Sequence, residues 1–375
     1  MKEISREARA RLAALKETYE EASAYALGYP VNFDFDYEEI LPFLKFNANN
    51  VGDPFHGTNY RVNSHDFERE VVGKFANLMR LDPEDAWGYV TTGGTEGNMY
   101  GLYMARELHP QGVVYFSQDT HYSILKIMQV LNMRNIMIKS QDNGEIDYDD
   151  LYETIRINRD VPVIMMANIG TTMKGAVDDL RKVRKILDDL AIRQSYIHSD
   201  AALSGMILPF VADPQPYGFD EGADSLAVSG HKLIGSPIPC GVVLTRKEYV
   251  ARISRSVEYV GVMDTTIPGS RNAWTPLLLW YALEKHGMEG LTDIVAEMLS
   301  VAEYAVQRFN DSGIPAWRHH NSVTVVFPRP PQEVVSKWQL APYRDIAHLI
   351  TMPHVTRQLV DQLVDECLAI APATR

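Results

Sequence analysis

Cysteine is nearly absent from this sequence: Cys240 and Cys367 are the only two in 375 residues. That excludes a disulfide framework and a cysteine-built structural zinc site, and it makes a reducing cytoplasm the expected compartment. Positive charge is scarce as well. Against 49 Asp and Glu stand 36 Lys and Arg, a net charge of −13, which argues against nucleic acid or an anionic membrane surface as a partner. No stretch approaches the roughly 18 to 20 apolar residues of a membrane span. Residues 1–25 mix Glu, Arg and Lys with Ala and Leu at helical spacing, unlike the apolar core of a signal peptide. Internal repeats and low-complexity linkers are also missing. What remains, 46% apolar and 23% charged residues, is the composition of a globular protein able to bury a large core.

After the first helix, residues 28–60 are rich in aromatics, Asn, Gly and Pro and read as an irregular arm of the kind that wraps a neighbour. From residue 65 onward, helical periodicity alternates with short β-branched or aromatic runs. Strands are expected at 87–90, 113–116, 136–138, 161–167, 196–198, 225–228 and 241–245, with helices at 67–79, 95–107, 122–131, 149–155 and 178–191. Such alternation predicts a mostly parallel sheet covered on both faces. From about Trp274 the pattern shifts to long helices at 276–284 and 294–309, short strands at 323–327 and 346–350, and a last helix at 355–367. The expected organisation is an N-terminal helix and arm (1–60), a large domain (61–273) and a small C-terminal domain (274–375).

Four motifs fall at expected strand ends. Ser229-Gly230-His231-Lys232 places a lysine amine beside a hydroxyl, an imidazole and glycine-freed backbone, which suits a Schiff base to pyridoxal phosphate with the phosphate held next door. In Ile197-His198-Ser199-Asp200-Ala201-Ala202 a carboxylate closes an apolar run, where it can pair with a pyridine nitrogen, and Ala202 leaves room for a flat ring. Thr91-Thr92-Gly93-Gly94-Thr95-Glu96-Gly97-Asn98 joins a strand to a helix, so that Gly94 and Thr95 can present backbone N–H groups to an anion. No Gly-Lys-Ser/Thr closes it, which argues against a nucleotide P-loop. His121, in Asp119-Thr120-His121-Tyr122-Ser123, is placed to stack on the ring and meet a substrate carboxylate, and Thr171 to reach the ring oxygen. Each has an ordinary reading as a turn or a cap; the four together do not share one. His319-His320 lacks matching carboxylate spacing, so no metal is expected.

These residues resemble the pyridoxal-phosphate decarboxylases of amino acids, most closely the short bacterial histidine decarboxylases. The likeness runs over nearly the whole chain, through Gly28-Tyr29-Pro30, Gly94-Thr95-Glu96-Gly97-Asn98-Met99, Asp119-Thr120-His121-Tyr122-Ser123, Ala201-Ala202-Leu203-Ser204-Gly205 and Ser229-Gly230-His231-Lys232. It implies an α/β protein of the aspartate-aminotransferase type (fold type I), with a mostly parallel seven-stranded sheet in the large domain and a smaller α+β C-terminal domain. It also implies a homodimer with active sites at the subunit interface. By the same likeness Lys232 carries the cofactor, Asp200 pairs with the ring nitrogen, His121 stacks on the ring, and Ser229 and His231 help hold the phosphate. Tyr29, Ser270, Trp274 and Ser322 are expected to border the substrate. Thr92, Asn47-Ala48 and Ala273-Trp274 depart from the histidine-decarboxylase pattern, and the last bears on substrate choice. Larger aromatic-amino-acid relatives reprotonate the product with a loop tyrosine; the corresponding stretch here, residues 259–271, offers no obvious counterpart, leaving Lys232 or His121 as proton donor. The expected reaction is α-decarboxylation of L-histidine. Its rivals are another L-amino acid of serine or aromatic type, an aldehyde-forming oxidase or transaminase on the same scaffold, and a non-catalytic binding protein.

Overall fold

The computed structural model describes residues 3–253, 255–257 and 262–370; residues 259–261 of the 259–271 stretch lie outside them. The chain opens with α1 (Arg6–Ser23), passes through a 3-10 stretch at Glu38–Lys45, and enters α2 (His65–Leu78). There follow β1 (Ala86–Thr91), α3 (Gly94–Leu108), β2 (Val113–Ser117), α4 (Ser123–Val130), β3 (Arg134–Ile138) and α5 (Tyr148–Ile157). Next come β4 (Val163–Asn168), α6 (Leu180–Asp189), β5 (Ser195–Asp200), β6 (Ser225–Ser229), β7 (Gly241–Arg246) and α7 (Lys247–Val250). Short strands β8 (Arg255–Val257) and β9 (Val262–Asp264) pair with each other before α8 (Trp274–Asp311). The chain finishes with β10 (Thr324–Pro328), α9 (Gln332–Lys337), β11 (Ala341–Tyr343), β12 (Ile346–Ile350) and α10 (Arg357–Ile370).

The large sheet has seven strands in the order β1-β7-β6-β5-β4-β2-β3. β7 is antiparallel to both neighbours and the remaining pairings are parallel. Helices on both faces explain the continuous apolar runs: β1, β2, β4 and β6 are buried at every position. β10, β12 and β11 form a separate antiparallel sheet. The two helices expected at 276–284 and 294–309 are one element broken at Gly287, whose φ of 60° only glycine adopts without strain. The short pieces α7, α9, β8, β9 and β11 carry too few residues to show a period and were not expected from sequence. Among the described residues no helix is long and apolar enough to cross a membrane.

Two long-range ties close the molecule. Leu27 donates to the carbonyl of Trp338 (3.2 Å) and accepts from Ile350 (2.8 Å), so the arm lies against the small sheet. The other tie is ionic. Glu68 on α2 is fully buried, accepts from Asn50 (2.8 Å) and the backbone of Val90 (2.8 Å), and pairs with buried Arg271, which also donates to the carbonyl of Gly52 (2.9 Å). Removing one partner of such a pair strands the other charge away from water. Arg271→Ala is therefore expected to destabilise the fold by about 3 to 5 kcal/mol in urea titration, and a loss below about 1 kcal/mol, the ceiling for an exposed pair, would show the pair to be dispensable.

Candidate active site

β1, β2, β4, β5 and β6 run in one direction, and each ends in a polar residue: Thr91, Ser117, Asn168, Asp200 and Ser229. Ligands in open α/β sheets bind outside this carboxyl edge. A cavity of about 480 Å³ lies there, and both Lys232 and Asp200 line it, as do His121 and Ala202.

At one end of the cavity the chain builds an anion pocket. α3 begins at Gly94 without a side-chain cap, so its first N–H groups remain available to a ligand, and the helix dipole favours negative charge there. A Cβ placed on Gly94 would stand 3.1 Å from Ser229 Oγ and 3.8 Å from Ala202 Cβ, so the glycine keeps open a cradle bounded by both. Thr95 and His231 complete its lining. His231 is held through Nδ1, which lies 2.8 Å from the carbonyl of Cys240 and 3.2 Å from its amide nitrogen. Thr95 does not cap the helix, because Gly93 occupies that position; Glu96 instead reaches back to the Thr92 amide (2.8 Å) and hydroxyl (2.6 Å).

Deeper in, Lys232 Nζ has no hydrogen-bond or ion-pair partner among the described residues. Burial pushes its pKa below the ordinary lysine value, and the Asp200 charge opposes that shift only in part. An amine made easier to deprotonate is what condensation with an aldehyde requires. Asp200 accepts from Asn98 Nδ2 (2.7 Å) and from the amide of Ala202 (3.1 Å). His121 is fixed by Ser123, whose Oγ lies 2.7 Å from Nδ1. Burial lowers its pKa, Asp200 raises it and Lys232 lowers it, so the three groups share one electrostatic field. Thr171 lines the cavity and accepts from Ala176 (3.0 Å), closing its own turn; α6 is capped by Asp179. A phosphate cradle, an unpartnered lysine, a buried carboxylate and a small-residue floor in one cavity fit pyridoxal phosphate.

Tyr29 also lines the cavity, from the arm. Ser270, Trp274 and Ser322 do not. Ser270 is exposed and accepts from Asn49 Nδ2 (3.0 Å), and the Trp274 backbone is held by Asn272 Oδ1 (2.7 Å) as α8 starts. Ser322 is buried one layer behind the wall, facing Gly175, with its Oγ taken by the amide of Thr324 (3.1 Å). Sequence reasoning overlooked Asn98, His198, Asn168 and His348. Asn98 stands one helical turn beyond Gly94, and His198 two residues before Asp200 on a strand, so both periodicities carried a signal. His348 comes from β12, and nothing local foretells its arrival at the cavity, where its ring nitrogens lie 3.0 Å from the carbonyl of Gly28 and 3.1 Å from that of Met173.

Comparison with known proteins agrees with this geometry. Residues 63–327 match the pyridoxal-dependent decarboxylase conserved domain. A histidine decarboxylase of Morganella morganii is 49% identical over 348 residues, covering 92% of each chain. One from Mesorhizobium japonicum is 47% identical over 355 residues, covering 95% of this chain and 96% of its own. The solved L-methionine decarboxylase of Streptomyces sp. 590 superposes with a TM-score of 0.89 at 27% identity, covering 98% of this chain and 96% of that one.

The depressed Lys232 pKa gives a direct test. Capture of pyridoxal phosphate by the cofactor-free protein, followed by visible absorbance, should quicken as pH rises, with a midpoint below 10.5. Lys232→Ala should show no such band at any pH. A midpoint at or above 10.5, or a surviving band in the variant, would assign the attachment elsewhere.

Proposed function

This chain belongs to the pyridoxal-dependent decarboxylases, and from that membership we propose that it converts L-histidine to histamine and CO2 in the cytoplasm as a homodimer. The observation that carries the chemistry is the meeting of Lys232, Asp200 and His121 in one cavity with the Gly94 cradle. The choice of histidine rests on two relatives near half identity over almost the whole chain, both histidine decarboxylases.

When bound, pyridoxal phosphate supplies an aldehyde for amines and a ring that accepts the electron pair left behind by departing CO2. The residues present divide the remaining work. Gly94, Thr95, Ser229 and His231 would hold the phosphate, and Lys232 would supply the amine that attaches the aldehyde. Asp200 keeps a proton at the ring nitrogen. His121, which lines the same cavity, would face the ring and orient the substrate carboxylate, while the enclosing wall would exclude water. The proton returned to the substrate Cα comes from Lys232. That residue takes up a proton once displaced, whereas the lowered pKa of His121 leaves it neutral at neutral pH.

The homodimer is supported by what the arm leaves uncovered. No residue of α1 is buried, and Leu12, Tyr19, Leu41, Leu44 and Phe46 are each more than half exposed. A second copy seated there would cover this surface. Two buried thiols, Cys240 and Cys367, suit a reducing compartment.

Purified holoenzyme offered the common L-amino acids, with CO2, amine, aldehyde and keto acid measured together, should release CO2 and histamine from histidine with the highest kcat/KM. Preference for another amino acid would overturn the substrate, and aldehyde or keto acid as the main product would overturn the reaction. In sedimentation the chain should run as a dimer, and Leu12→Asp with Leu44→Asp should shift it toward monomer; a monomeric native chain would refute the assembly.

A further inference from the structure

Behind Asp200 runs a chain of side chains that the mechanism above does not use. Asn98 Nδ2 stands 2.7 Å from Asp200 Oδ2, Asn98 Oδ1 stands 3.0 Å from His198 Nε2, and His198 Nδ1 stands 2.7 Å from Ser225 Oγ. All three are buried, His198 and Ser225 completely. The direction of every bond follows from the end of the chain. An ionised carboxylate only accepts, so Asn98 must turn its NH2 to Asp200 and its carbonyl to His198. His198 Nε2 therefore carries the proton and Nδ1 is bare, so the Ser225 hydroxyl donates. Burial pushes the His198 pKa down to about 3, which keeps the ring neutral, and the partners at its two nitrogens set the tautomer. Strand alternation puts His198 and Asp200 on one face of β5. The helix above makes room for the imidazole: a Cβ on Gly101 would come within 2.0 Å of His198 Nδ1.

We infer that Ser225, His198 and Asn98 form a one-way hydrogen-bond relay, each donating toward Asp200, that keeps the proton shared with the cofactor on the ring nitrogen. The inference rests on the proposed pairing of Asp200 with that nitrogen. Donors lined up toward an anion polarise one another and favour its ionised form. If the relay is cut, the carboxylate holds the shared proton more tightly, the ring loses positive charge, and it accepts electrons less well. Asn98, His198 and Ser225 are thus positioning residues, acting on the ring through Asp200. A buried polar chain with only a packing role could be apolar at no loss of stability.

The test uses holoenzyme carrying pyridoxal phosphate labelled at the ring nitrogen, whose NMR shift reports protonation at that atom, together with steady-state kinetics. Native enzyme should show a protonated nitrogen. Asn98→Ala should move the signal toward the unprotonated position and lower kcat by about 10- to 100-fold, with KM within about 3-fold. Ser225→Ala, at the far end and outside the cavity lining, should move both in the same direction by less, about 2- to 10-fold in kcat. If Asn98→Ala takes up no cofactor, Ser225→Ala decides alone. Native signal and kcat in the variants, while Asp200→Ala does shift the signal, would refute the relay and leave the pairing standing. A protonated nitrogen that persists in Asp200→Ala would refute the pairing itself.

Discussion

The structure is organised around a carboxylate and an amine facing one buried space. Asp200 ends β5, Lys232 lies in the turn after β6, and the two strands are parallel neighbours, so both groups reach the same edge of the sheet and the same cavity. Both groups are taken from water, which is unfavourable for each on its own. The shift of Lys232 below its ordinary pKa shows which way that strain is relieved: the amine becomes easier to deprotonate and therefore reactive. A lysine free in solvent would lack this property, and one salt-bridged to Asp200 would be unavailable for condensation.

Everything else at the site either holds that pair in place or supplies what it lacks. The uncapped start of α3 offers a binding place for an anion, and the relay from Ser225 through His198 to Asn98 connects the β5–β6 pairing to the helix above it. Further out, the Glu68 and Arg271 pair ties α2, the Asn50 to Gly52 segment and the approach to α8 into one block. That block flanks the sheet at β1 through the amide of Val90. Here the polar interior serves to connect elements distant in sequence, and the apolar strands supply the bulk of the core.

Legibility in the sequence tracked how local the cause was. The parallel sheet, its strand-end motifs and the residues that line the cavity from α3, β5 and β6 could be read because period and punctuation announce them: an apolar run, then Gly94, Asp200 or Ser229. The broken helix at Gly287 appeared as two helices with a gap between, which is nearly what the backbone does. Ser270 and Trp274 were placed by resemblance and Ser322 by its position at the start of a strand, and in the single chain all three lie off the cavity because turn and cap geometry hold them elsewhere. His348 was invisible for the opposite reason. Its place depends on a hydrogen bond to Gly28, 320 residues away, and no local pattern encodes such a contact. His198 lay in between, since alternation along β5 marks its face but only the approach of α3 at Gly101 gives it a partner.

The contact between Leu27 and the small sheet has a consequence for biosynthesis. The cavity draws Gly28, Tyr29, Pro30 and Val31 from near the start of the chain and Ala341, His348 and Ile350 from near its end. A ribosome must release the chain from Gly28 through Ile350 before this enclosure exists. The vitamin-derived group can therefore be enclosed only after Ile350 has emerged, and fragments arrested earlier, even those containing the reactive lysine and its cradle, would leave the site open to water.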